Sequence, residues 1–102
     1  MDRLIEERLD ALVQLCRSHH VRKIELFGSG ATERFDAQSS DIDFIVSFDD
    51  IAPGEYVDAY FGLLEGLQEL LQRPVDLVVE PAITNPYFLS EIEKTRTLVY
   101  AA

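Results

Sequence analysis

Ser40-Asp41-Ile42-Asp43-Phe44-Ile45-Val46-Ser47-Phe48 alternates with the period of a β-strand. Ile42, Phe44, Val46 and Phe48 point one way, towards a core. Asp41, Asp43, Ile45 and Ser47 point the other. Two carboxylates at i and i+2 therefore share one sheet face, with Cα atoms about 7 Å apart. Acids placed together in this way repel one another, and a cation between them turns the repulsion into attraction. Mg²⁺ is the natural candidate, because it takes hard oxygen ligands and shares them with substrate phosphates.

The neighbouring segments fit this strand. Val21 to Phe27 reads as a shorter strand that ends at Gly28-Ser29. Glycine there lets a phosphate approach the backbone, and the Ser29 hydroxyl can donate to it. Residues 29–35 are expected to start a short helix whose free N–H groups and dipole favour anions. Downstream, Pro53-Gly54 marks a break, and a helix follows with Val57, Tyr60, Phe61, Leu64, Leu67 and Leu71 on one face. Arg73-Pro74 ends it. Val75 to Glu80 alternates again, with Asp76, Val78 and Glu80 opposite Val75, Leu77 and Val79. Asp76 can thus supply a third ligand from an adjacent strand, whereas Glu80, near the strand end, reads as solvated.

At the N-terminus Asp2 caps a helix whose stripe is Ile5, Leu9, Leu12, Val13 and Cys16. His19 and His20 close that helix, where a cation suits the dipole. Asn85-Pro86 opens a short helix carrying Phe88, Leu89 and Ile92, and Thr97 to Tyr100 forms a last strand. Tyr56, Tyr60 and Tyr87 read as core or interface residues. Helices alternating with strands predict an α/β (α+β) fold. It is a small mixed sheet with helices packed on one face and the carboxylates on the other.

Composition narrows the function. The 102 residues suit a single domain, 1–102, and 47% hydrophobic with 27% charged residues is ordinary globular composition. No apolar run approaches the roughly 18 residues that span a membrane. The early acids of Met1-Asp2-Arg3-Leu4-Ile5-Glu6-Glu7 do not read as a signal peptide, so cytoplasm is the expected compartment. Cys16 is the sole cysteine, which excludes an internal disulfide and a cysteine metal cluster. Nine Lys+Arg against 19 Asp+Glu give a net charge of −10. Phosphate backbones repel such a chain, which argues against nucleic acid and for a basic protein as partner.

Leu26-Phe27-Gly28-Ser29, followed by Ser40-Asp41-Ile42-Asp43-Phe44, resembles the signature of the DNA polymerase β-like nucleotidyltransferases. Over nearly its whole length the chain is similar to the minimal nucleotidyltransferase (MNT) antitoxins that accompany HEPN-domain toxins. The likeness includes Tyr60-Phe61-Gly62-Leu63, Arg73-Pro74-Val75-Asp76-Leu77-Val78, Asn85-Pro86-Tyr87-Phe88 and the final Tyr100. The resemblance implies that Gly28 and Ser29 hold nucleotide phosphates, and that Asp41 and Asp43 bind Mg²⁺, with two ions at the site. It implies that Asp76 completes the metal site and accepts a proton. AMP would pass from ATP to a tyrosine of a HEPN RNase, with which the chain forms a hetero-oligomer. Relatives often continue Ala-Arg-Gly after Gly-Ser-x, whereas this chain has Ala31-Thr32-Glu33. Two alternatives therefore stay open: an antitoxin that works by binding alone, and nucleotide transfer to RNA, which the acidic charge disfavours.

Overall fold

Among the described residues, which in the computed structural model are 3–27, 41–80 and 86–102, four strands form one sheet. They are β1 (Val21–Phe27), β2 (Ile42–Phe48), β3 (Val75–Val79) and β4 (Thr97–Ala101), in the order β3-β2-β1-β4. β1 runs antiparallel to both β2 and β4, while β2 and β3 are parallel. Parallel neighbours need a crossover, and α3 (Pro53–Leu71) supplies it. The sheet is mixed, as the alternation of elements predicts. The other helices are α1 (Arg3–Glu7), α2 (Leu9–Ser18) and α4 (Pro86–Thr95). The predicted first helix is thus divided at Arg8, whose φ of −106° and ψ of 10° leave the helical region. Its N–H is shared between the Leu4 and Ile5 carbonyls. The helix expected over residues 29–35, Asn85, and the side chains of Phe88, Leu89 and Ile92 lie outside the described residues.

α2 and α3 close one face of the sheet. Ile24 and Leu26 of β1, Ile42, Phe44 and Val46 of β2, and Leu77 of β3 are buried against Leu12 and Cys16 of α2 and Leu63, Leu67 and Leu71 of α3. This core corrects the sequence reading of α3. The inward residues are Ala59, Leu63, Leu67 and Leu71, whereas Val57 and Phe61 stand 55% and 54% exposed. The reason is a pair of glycines that a hydrophobic count ignores. A Cβ on Gly66 would lie 2.6 Å from Leu15, and one on Gly62 would lie 2.7 Å from Nε2 of His19. α2 therefore packs directly against the glycine side of α3, which turns Leu63 and Leu67 onto the sheet. His19 is held in this contact by a 2.8 Å hydrogen bond between its Nδ1 and the Leu15 carbonyl. Burial also pushes the Cys16 thiol up to about 12, so it packs as an apolar group and not as a thiolate.

Helix α3 also reaches over the outer edge of β3. The Tyr60 hydroxyl donates to the Leu77 carbonyl at 2.6 Å, and the Val75 N–H donates to the Gln68 side chain at 3.2 Å. At its C-terminus Gln72 takes a left-handed conformation, with φ 54°, and its N–H donates to the Gln68 carbonyl.

The rotated helix makes a testable contrast. Leu63→Ala should cost about 2–5 kcal/mol in urea unfolding, as expected for a fully buried leucine. Val57→Ala, on the face expected to be buried, should stay within about 0.5 kcal/mol of the parent.

Candidate functional site

The sheet face turned away from α2 and α3 is built in tiers that the strand register fixes. Phe27 of β1 lies beside Asp43 of β2, and Asp43 lies beside Asp76 of β3. One step along, Glu25 is level with Ile45, and Ile45 with Val78. A further step pairs Lys23 with Ser47. The register thus brings Asp43 and Asp76 together as lateral neighbours, about 4.8 Å between strands. Asp41 sits just before β2, two residues from Asp43, and is exposed. Phe27 in this tier and Ile45 and Val78 in the next form a small apolar cluster.

The three aspartates are electrostatically coupled. Burial raises the Asp43 carboxyl above its usual range, and the charges of Asp76 and Asp41 raise it further. No described cation opposes these effects. Among the described residues the side chains do not already converge into a three-ligand metal cage. The donor set nevertheless fits a hard divalent ion. It consists of three carboxylates on one face whose mutual repulsion a cation would relieve.

The other acids on this face are treated differently. Glu25, buried in the middle of β1, receives the Arg96 guanidinium through both Nε, at 2.9 Å, and Nη2. Arg96 Nη2 also donates to Glu80 at 2.8 Å, and Nη1 donates to Glu93 of α4. Lys23 stands 3.3 Å from Glu25 and 3.5 Å from Glu80, and the Ser47 hydroxyl donates to Glu80 at 3.0 Å. Glu80 is therefore paired and partly buried, not solvated as its place near the strand end suggested. Arg96 lowers both the Glu25 and the Glu80 carboxyls, and Lys23 lowers them further. This network ties three strands to the α4–β4 junction beneath the aspartates. The sequence reading missed it, although one signal was present: Glu25 interrupts the apolar run of β1.

Gly28 and Ser29 lie outside the described residues, directly after Phe27. Tyr60 is half-buried, and burial, then Asp76, then Tyr56 raise its phenol. Tyr87, read as core or interface, is 83% exposed.

Comparison with known proteins adds the following. The family described as nucleotidyltransferase domain matches residues 5–99. A protein of Methanocaldococcus jannaschii, provisionally named a protein adenylyltransferase, is 38% identical over 80 residues, 78% of each chain. A solved structure provisionally described as a minimal nucleotidyltransferase superposes with a TM-score of 0.74 at 26% identity, covering 95% of both chains. A toxin–antitoxin structure with AMP-PNP gives 0.70 at 22% identity, covering 92% of this chain and 73% of the other. The MNT antitoxin bound to a tri-AMPylated HEPN toxin of Shewanella oneidensis gives 0.64 at 20% identity, covering 95% and 72%. The last two likenesses are evidence of fold.

The paired acids give a pH prediction. A carboxyl held low in the folded state contributes stability above its unfolded value, and that contribution is lost as pH falls through the lower folded value. Glu25 and Glu80 are both of this kind, against an ordinary value of 4.5. Arg96→Met should therefore destabilise the protein at pH 7 by on the order of 3 kcal/mol. The gap between parent and variant should shrink as pH drops below the ordinary carboxylate range. Thermal unfolding across pH 3 to 7 checks both parts.

Proposed function

Because the chain belongs to the nucleotidyltransferase domain family, we propose that it is a Mg²⁺-dependent protein adenylyltransferase. It moves AMP from ATP onto a hydroxyl, taken to be a tyrosine, of a HEPN-domain RNase toxin, and so acts as an antitoxin. The observation that carries this reading is the contrast among acids on one face. Glu25 and Glu80 have Arg96 and Lys23 as partners, while the carboxyl of Asp43 is raised by burial and by the charges of Asp76 and Asp41. Support also comes from relatives: AMP-PNP accompanies one toxin–antitoxin neighbour, and AMPylated HEPN toxin accompanies another.

In the proposed reaction Gly28 and Ser29 hold the ATP phosphates. Asp41, Asp43 and Asp76 would hold the metal, two ions in all, which would supply positive charge for the entering and leaving oxygens. The tyrosine oxygen attacks the α-phosphorus in line, forming an O–P bond as the bond to pyrophosphate breaks. Asp76, at the exposed end of the acidic tier, takes the phenolic proton. The apolar cluster of Phe27, Ile45 and Val78 supports the strand ends that carry these acids. A purely binding antitoxin is the second reading, favoured by Thr32 and Glu33 where relatives carry Arg-Gly. Transfer to RNA has less support, given the net charge of −10.

The test is incubation with ATP, Mg²⁺ and a HEPN-domain toxin from the same source, followed by mass spectrometry of that toxin. Added AMP mass is expected; its absence despite binding favours the second reading. Asp76→Asn should slow transfer by roughly 10²–10⁴ while leaving binding intact. Asp43→Asn should abolish transfer yet melt no lower than the parent in metal-free buffer, because it removes one of the repelling charges.

A further inference from the structure

The outer surface of α3 is divided lengthwise. At 100° per residue, the order around its exposed side over residues 57–65 is Tyr60, Leu64, Val57, Phe61, then Glu65 and Asp58, with Gln68 falling between Val57 and Phe61 about two turns beyond Phe61. The first four make an apolar strip, of which Val57 and Phe61 are more than half exposed. The last two begin an acidic ridge. The 19 residues of α3 include four acids and neither lysine nor arginine. The strip also leads towards the candidate site. The Phe61 ring packs edge-on against Tyr60, with centroids 5.1 Å apart, and the Tyr60 hydroxyl bonds to Leu77, the neighbour of Asp76 in β3.

We propose that this strip docks the protein that accepts the nucleotide, an inference that rests on the adenylyltransferase reading. The occupant is a folded partner presenting an apolar ridge flanked by lysine or arginine. The ridge covers Val57 and Phe61, and its basic flank meets Glu65 and Asp58. Charge selects this occupant. A second copy of this chain would bring acids against acids, and the net charge of −10 repels nucleic acid and anionic lipid. An exposed aromatic beside a polar ridge is the usual anchor of such an interface. Docking here places the partner beside the β3 edge that carries Asp76.

The test uses the full chain, a HEPN-domain toxin from the same source, and the double variant Val57→Ser/Phe61→Ser. Binding is measured by calorimetry without ATP, and AMP transfer is measured separately. The double variant should raise Kd, and the KM for the protein acceptor, at least about tenfold. Its kcat, KM for ATP and melting temperature should match the parent. Glu65→Lys should weaken binding and flatten its salt dependence. Unchanged Kd and KM in the folded double variant would overturn the proposal, as would a parent dimer that the same substitutions dissolve. If the parent binds the partner and the double variant does not, but neither adds AMP, the docking strip stands and the catalytic reading fails. If the parent does not bind the partner, both fail.

Discussion

Asp43 and Asp76 lie side by side because β2 and β3 are parallel and in register from Ile42/Val75 to Val46/Val79. Two carboxylates on adjacent strands repel, and folding must meet that cost elsewhere. It does so through the crossover. α3 buries Leu63, Leu67 and Leu71 over the β2–β3 pair, and Tyr60 and Gln68 hold the far side of β3. A slip of one residue in this pairing would exchange Asp76 for Val75 or Leu77 and carry a charge into the core. The core residues that enforce the register therefore also hold the acids together.

The same face shows how little separates a carboxylate that has a cationic partner from one that has none among the described residues. Glu25 and Asp43 are on adjacent central strands, two residues apart in register, and both lose water. Arg96 answers the desolvation of Glu25 with two hydrogen bonds, and its carboxyl is held low. No described cation does so for Asp43, and its carboxyl rises. The ionic network is also a frame. It joins β1, β2 and the residue after β3 to Glu93 of α4, with Ile45 and Val78 level with Glu25 and Phe27 level with Asp43.

Much of this was legible in the sequence because strand alternation has a period of two and leaves little freedom. Once Ile42, Phe44 and Val46 are assigned to the core, Asp43 must lie on the opposite face. The strands and their mixed arrangement followed in the same way. The register of Asp76 against Asp43 was not legible, since it depends on how α3 returns the chain. Nor was the inward face of α3, where Val57 and Phe61 are as apolar as the leucines that displace them. What decides between them is the room left by Gly62 and Gly66 for Leu15 and His19, and that room is a property of two helices together. The Arg96 network was hidden for a related reason. Its partners lie 71 and 16 residues away in the chain.

The two side chains that α3 lays on β3 have a consequence for how an acceptor can be presented. β3 is an edge strand, and its outward groups at Val75 and Leu77 would ordinarily form a template for an incoming extended segment. The Gln68 side-chain oxygen Oε1 accepts from the N–H of Val75, and the Tyr60 phenol donates to the carbonyl of Leu77. Strand addition beside Asp76 would have to break both bonds. Under the proposed adenylyltransferase reading, this favours a hydroxyl carried on a folded surface over one in an extended segment paired to β3.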